Sequence, residues 1–174
     1  MSFADSSSHL VKNHDRYLGI DPGLNRTGYA VIERRASGPA LIEGGILRST
    51  QNETLQYRVR EIASGLREVL EELQPEVAAI EEVFSHTQNP KTAILMAHAR
   101  GGILLTLANA DLTTVNYAPT QIKRLLTGSG RASKEQIQYA VKTELKLDSI
   151  PEPNDVADAA AIALCLYHSV KFAV

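Results

Sequence analysis

Apolar and polar positions alternate along the first third of the chain in short stretches. Tyr17 to Ile20 reads as a strand, closed by the turn signal Asp21-Pro22-Gly23. Gly28 to Glu33, containing Val31 and Ile32, reads as a second strand. After the turn Ser37-Gly38-Pro39, Ala40 to Arg48 reads as a third, with Gly44-Gly45 marking a bulge or a close approach. Three strands joined by short turns predict an antiparallel meander. The period then changes. Leu55, Val59, Ile62, Leu66, Val69 and Leu73 recur at spacings of four and three, one face of an amphipathic helix that Gln74-Pro75 ends.

Beyond that helix, strand and helix patterns alternate. Val77 to Ile80 is a short apolar run expected to form a buried strand. Asn89-Pro90 opens a helix that runs to about Ala110, with Asn at the cap and Pro at the first position. Leu112 to Tyr117 is the fifth strand. Pro119 opens a short helix ending near Gly128. Ser133 and Gln136 match a capping box for a helix to about Leu145, and Asn154 is expected to cap a last helix reaching about Tyr167. The order β-β-β-α-β-α-β-α-α-α predicts an α/β fold: a mixed five-stranded sheet with helices on both faces.

Length and composition suit one domain. No apolar run is long enough to cross a bilayer without intervening charge. Residues 1–16 are polar, carry both signs of charge and lack an apolar signal core, and are expected to form a flexible N-terminal arm ahead of a domain spanning 17–170. Cytoplasmic localisation is the matching expectation. The single cysteine, Cys165, lies in an apolar helical pattern and reads as a buried small hydrophobe.

Charge changes the picture more than composition does. The formal net charge of −2 disfavours a uniformly basic nucleic-acid binder. Its distribution is lopsided, however. From Glu53 to Glu82 acids outnumber bases, whereas from Val83 to Lys134 the bases Lys91, Arg100, Lys123, Arg124, Arg131 and Lys134 are opposed by Asp111 alone. One acidic and one basic face make the total uninformative.

The candidate chemistry lies in acids placed where the sheet ends. Asp21 closes the first strand and Glu81, with Glu82 beside it, closes the run Val77 to Ile80. Asp155 and Asp158 are three apart in the first turn of the last helix and share a face. Singly, each has an ordinary explanation as a turn residue, a solvated strand end or a complement to the helix dipole. As a set, four converging carboxylates would repel unless cations lay between them. Oxygen-only ligands favour Mg²⁺ or Mn²⁺, and two such ions about 3.5–4 Å apart are the clamp used for in-line displacement at phosphate.

The motif Leu18-Gly19-Ile20-Asp21-Pro22-Gly23, followed by Thr27-Gly28-Tyr29, resembles the opening of the RuvC family of Holliday junction resolvases. Ala79-Ile80-Glu81-Glu82-Val83-Phe84, Ala99-Arg100-Gly101, Pro119-Thr120-Gln121-Ile122-Lys123, Gly128 to Lys134 and Asn154 to Ala159 resemble later family motifs in the right order. The resemblance covers about Tyr17 to His168. It implies a ribonuclease H-like fold and a homodimer that resolves four-way junction DNA by paired, metal-dependent nicks, alongside a RuvA–RuvB branch-migration complex. It also implies catalytic and metal-binding roles for Asp21, Glu81, Asp155 and Asp158, choosing Glu81 over Glu82. Lys123 and Lys134 fall on basic positions near the scissile phosphate, and Phe84 on an aromatic that contacts junction bases. Arg131, in the glycine-rich loop, is a further candidate for backbone phosphate.

Other readings remain open on residues alone. A sugar kinase or related ATPase shares the Gly-Ile-Asp-x-Gly hairpin but needs a second large domain. A resolvase-like nuclease acting on structured RNA would lack the Gly128 to Lys134 pattern. A non-catalytic junction-binding module would have lost one or more of the four acids, and all are present.

Overall fold

A computed structural model of the chain describes residues 14–83 and 90–171. The elements are β1 (Arg16–Asp21), β2 (Arg26–Arg35), β3 (Gly38–Arg48), α1 (Leu55–Leu73), β4 (Val77–Glu81), α2 (Pro90–Asn109), β5 (Thr114–Tyr117), α3 (Pro119–Thr127), α4 (Lys134–Glu144) and α5 (Asn154–Lys171). The expected order of strands and helices is the one observed.

The five strands form one sheet in the order β3-β2-β1-β4-β5. β1, β2 and β3 pair antiparallel, as short turns require; β4 and β5 join parallel, each reached through a helix. Side chains of successive strand residues point to opposite faces, and two cores result. Tyr17, Ala30, Ile32, Val77 and Ala79 pack against α3, α4 and α5. Leu18, Ile20, Val31, Leu47, Ala78 and Ile80 pack against α1 and α2. The α1 residues Ile62, Leu66, Val69 and Leu73 are buried there, as their spacing predicts.

Helix α5 lies unusually close to the sheet. A Cβ added at Gly19 would sit 2.1 Å from the carbonyl oxygen of Ala159, and one at Gly28 would sit 2.1 Å from that of Asp155. Alanines on the helix and glycines on the strands together make this approach possible. Gly44 gives the same kind of room to Val156, so the close approach expected at Gly44-Gly45 is present. The bulge falls nearby, at Ile42, which is skipped between the pairs Val31–Glu43 and Ile32–Leu41.

Several element ends differ from expectation: β2 is longer at both ends (Arg26–Arg35), β3 starts at Gly38 and α5 reaches Lys171, and three further ends have a local cause. β1 starts at Arg16, and contacts reach back to His14, whose carbonyl accepts the Tyr17 hydroxyl at 2.7 Å. β5 starts at Thr114 rather than Leu112, because the Leu112 amide instead donates to Leu107 O at the end of α2, after Asp111 turns left-handed (φ 53°). Asn154 is the first residue of α5, and its side-chain oxygen accepts from Gln138 at 2.9 Å. The capping box of α4 is as expected: Ser133 Oγ accepts from Gln136 N, and Gln136 Oε1 accepts from Ser133 N at 2.8 Å. The expected cap at Asn89, residues 1–13 and Phe84 lie outside the described residues.

Candidate active site

Sheet register brings the acids together. Ile20 and Ile80 are partners on the adjacent parallel strands β1 and β4, so Asp21 and Glu81 follow side by side at the strand ends. Their parity matches Tyr17, Val77 and Ala79, which face α5. Glu82 has the opposite parity and lines a hollow with Ala97, Arg100 and Leu104 of α2. Pattern alone left Glu81 and Glu82 equivalent; the two-residue period of the strand separates them.

The first turn of α5 delivers Asp155 and Asp158 to the same end. The other three acids all act on Asp21. Burial, followed by the charges of Glu81, Asp158 and Asp155, pushes Asp21 from its ordinary 3.8 up to about 7. Burial and Asp158 push Glu81 from 4.5 to about 7, with Lys123 and Lys134 pulling it back. Lys134 Nζ stands 3.0 Å from Asp158 Oδ2, and that bond raises the lysine's own pKa. Arg26 Nη2 stands 3.7 Å from Asp155 Oδ2.

Among the described residues no three His, Cys, Asp or Glu side chains form a ready-made metal cage. Lys134 is bonded to Asp158 at 3.0 Å, whereas Arg26 stands at a looser 3.7 Å from Asp155. The donor set still fits a hard divalent cation: all oxygen, no thiolate or imidazole, and an excess of negative charge awaiting neutralisation.

Beside the acids is a cavity of about 260 Å³ lined by Glu81, Asp158, Lys123 and Lys134 at its polar end and by Ile122, Ile137 and Ile162 among its apolar walls. Two expected basic residues, Lys123 and Lys134, thus share a cleft with two of the acids. Arg131 does not line it; it is exposed in the loop before α4. Cys165 is fully buried on α5 and its thiol is pushed up to about 12, as expected of a packed, inert side chain.

Two arginines matter that carried no assigned role in the sequence. Arg100 donates its Nε proton to the main-chain oxygen of Glu81 at 3.2 Å and also reaches Asn116 Oδ1. Arg26 meets Asp155. A lone charge amid small residues in α2 was the available signal for Arg100. For Arg26 the signal was its even spacing from Gly28, which puts it on the α5 face.

The family model for crossover junction endodeoxyribonuclease RuvC matches residues 17–166. The chain belongs to the RuvC family. Among curated RuvC proteins, that of Rhodopirellula baltica is 53% identical over 148 residues, covering 85% of this chain and 83% of the relative. That of Desulforamulus reducens is 43% identical, covering 85% and 90%. The solved Thermus thermophilus RuvC superposes with a TM-score of 0.81 at 33% identity, over 88% of this chain and 95% of that one. A second structure, of T. thermophilus RuvC in complex with a Holliday junction substrate, gives 0.83 at 32% identity, over 91% and 97%. RuvC nucleases depend on a metal. No helix among the described residues of this RuvC chain is long and apolar enough to cross a membrane.

Proposed function

We propose that Asp21, Glu81, Asp155 and Asp158 form the catalytic centre of a junction-resolving endonuclease and hold two divalent cations per subunit, Mg²⁺ with Mn²⁺ able to substitute. The supporting observation is the shared register of Asp21 and Glu81 on the face that α5 covers, with the charges of Glu81, Asp155 and Asp158 all acting on Asp21. Hydrolysis adds water across a P–O3′ bond. One P–O bond forms in line with the one that breaks, the water proton passes to the 3′ oxygen, and the ends are 5′-phosphate and 3′-hydroxyl. Cations bound by these oxygens supply Lewis acidity at the phosphate and acidify water.

The chain's own residues do the rest. The strand ends and the close helix fix where the carboxylate oxygens lie. Lys123 and Lys134, at the polar end of the cleft, hold phosphate oxygens by charge. Lys134 exchanges its contact with Asp158 for one with the substrate. Arg131 adds an exposed charge on the approach, and Phe84 is assigned to base stacking on the family resemblance alone.

Paired nicks need two copies. Along α2, Ile94 (58% exposed), Ala97, Gly101, Leu105 (62% exposed) and Ala108 recur at helical spacing on the open side. This apolar stripe is the proposed homodimer face, and a two-fold axis through it matches two symmetric cuts. The test is Mg²⁺-dependent cleavage of a four-way junction by the wild type and by Asp21→Asn. The wild type cuts and the variant binds without cutting; a variant that still cuts removes the metal assignment.

A further inference from the structure

We infer that Arg26 and Arg48 form a second phosphate seat, on the side of the acids opposite Lys123 and Lys134, for a backbone phosphate neighbouring the scissile one. The inference rests on the nuclease reading above and extends the nucleic-acid interface onto β2 and β3.

Arg26 and Arg48 are direct partners in the antiparallel pairing of β2 with β3. Directly opposed residues project from the same face with their Cβ atoms about 4.5–5.5 Å apart, and like charges there oppose each other. The face is the one α5 covers. Gly28 and Gly44, at even spacing from these arginines, abut Asp155 and Val156, and Arg26 itself reaches Asp155. A repulsive pair at the last paired rung of two strands has no stabilising value for the sheet.

Neither arginine is well neutralised. The Arg26–Asp155 contact is 3.7 Å long and half-exposed, so it is worth little. Arg48 is exposed and has no hydrogen-bond or ion-pair partner among the described residues. The nearby Arg58 shows the contrast: its guanidinium is committed to Ser49 Oγ at 3.1 Å and to Asn25 Oδ1, holding the β1–β2 turn. Two adjacent, uncommitted guanidinium forks match a phosphodiester, which takes paired N–H donors.

Sheet order supplies the placement. The acids stand on the central strands β1 and β4 and on α5; Lys123 and Lys134 lie beyond β4, on α3 and α4; Arg26 and Arg48 lie on the other side, on β2 and β3. Neighbouring strands are about 4.8 Å apart. A nucleic-acid strand crossing the sheet end therefore meets the arginine pair, the acids and the lysine pair in turn, with cations on both sides of the cut.

The test is the salt dependence of four-way junction affinity, without divalent metal, for wild type, Arg48→Gln and the distant α1 variant Arg67→Gln. Arg48→Gln is expected to bind more weakly, with its log–log salt slope shallower by about one; Arg67→Gln is expected to keep the wild-type slope. Replacing the phosphodiester beside the cut with a neutral methylphosphonate should weaken wild-type binding and leave Arg48→Gln no weaker than before. Arg48→Gln should melt at or above the wild-type temperature, because a repulsion is removed. An unchanged slope, the same change in Arg67→Gln, or a large loss of thermal stability in Arg48→Gln would overturn the seat. Failure of the wild type to bind or cut the junction would remove the parent reading instead.

Discussion

Arg100 of α2 holds the main-chain oxygen of Glu81 at 3.2 Å, tying the helix that carries the exposed apolar stripe to the strand end that carries a proposed metal ligand. The bond fixes the backbone from which the carboxylate projects. Loss of a charged hydrogen bond is worth about 1.5–3 kcal/mol, or roughly tenfold to a hundredfold in rate. Arg100→Gln is therefore expected to lower cleavage at limiting Mg²⁺ by at least about tenfold, with part of the loss recovered at high Mg²⁺. Junction affinity should hold. Titrating Mg²⁺ in single-turnover cleavage separates this from a general folding defect, which added metal would not repair.

The two raised carboxylates give the metal-free protein a defined pH dependence. Asp21 and Glu81 are both raised to about 7, from ordinary values of 3.8 and 4.5. Between about pH 4 and 7 the folded state keeps protons that the unfolded chain has released, so stability falls as pH rises through this window and levels off above it. In EDTA, Asp21→Asn should be more stable than wild type at pH 8 by on the order of 3 kcal/mol, with the gap closing towards pH 4. Urea denaturation across pH measures it. Mg²⁺ at pH 8 should raise the wild-type melting temperature and do so far less for the variant. Because protons and cations compete for the same oxygens, the Mg²⁺ needed for half-maximal cleavage should fall as pH rises through 7.

Gly28 meets the Asp155 carbonyl so closely that no side chain fits. Gly28→Ala must push α5 off the sheet or displace β2, and overpacking of this kind costs about 1–3 kcal/mol or more. The same shift carries Asp155 and Asp158 away from Asp21. Cleavage is expected to fall further than the stability loss explains, which thermal melts and cleavage rates on the same preparation would show. Normal activity with a normal melting temperature would mean that the helix–sheet spacing does not set the acid geometry.

Leu105 is the most exposed large aliphatic residue of α2. If the stripe joins two copies, Leu105→Glu buries a charge at the interface and yields monomers in analytical ultracentrifugation, with the monomer fold intact by circular dichroism. Nicking should then lose its pairing, and singly nicked junctions should accumulate. A dimer of unchanged affinity would move the interface elsewhere.

Much of the architecture was legible because each element stated its own period. Leu55 to Leu73 marks one helical face, and the alternation in the first three strands gives the meander. The acids were legible as strand-end and helix-start residues. The choice between Glu81 and Glu82 was not, because Val77 to Ile80 is buried on both faces and a run without polar positions shows no period. The RuvC resemblance supplied that choice, and the strand parity supplies a physical reason for it. The partners of Arg26 and Arg100 were not legible, because they are set by sheet register and helix packing at long range in the chain. The start of β5 was misjudged because the Leu112 amide is used by the end of α2, a competition that apolar patterning does not record.

The most direct test of the central claim is Mg²⁺-dependent cleavage of a four-way junction and of linear duplex of the same sequence, by wild type and by Asp21→Asn. The account predicts paired symmetric nicks in the junction by wild type, little cutting of the duplex, and junction binding without cleavage by the variant. Equal cutting of both substrates would contradict junction selectivity, and cleavage retained by Asp21→Asn would contradict the four-acid centre.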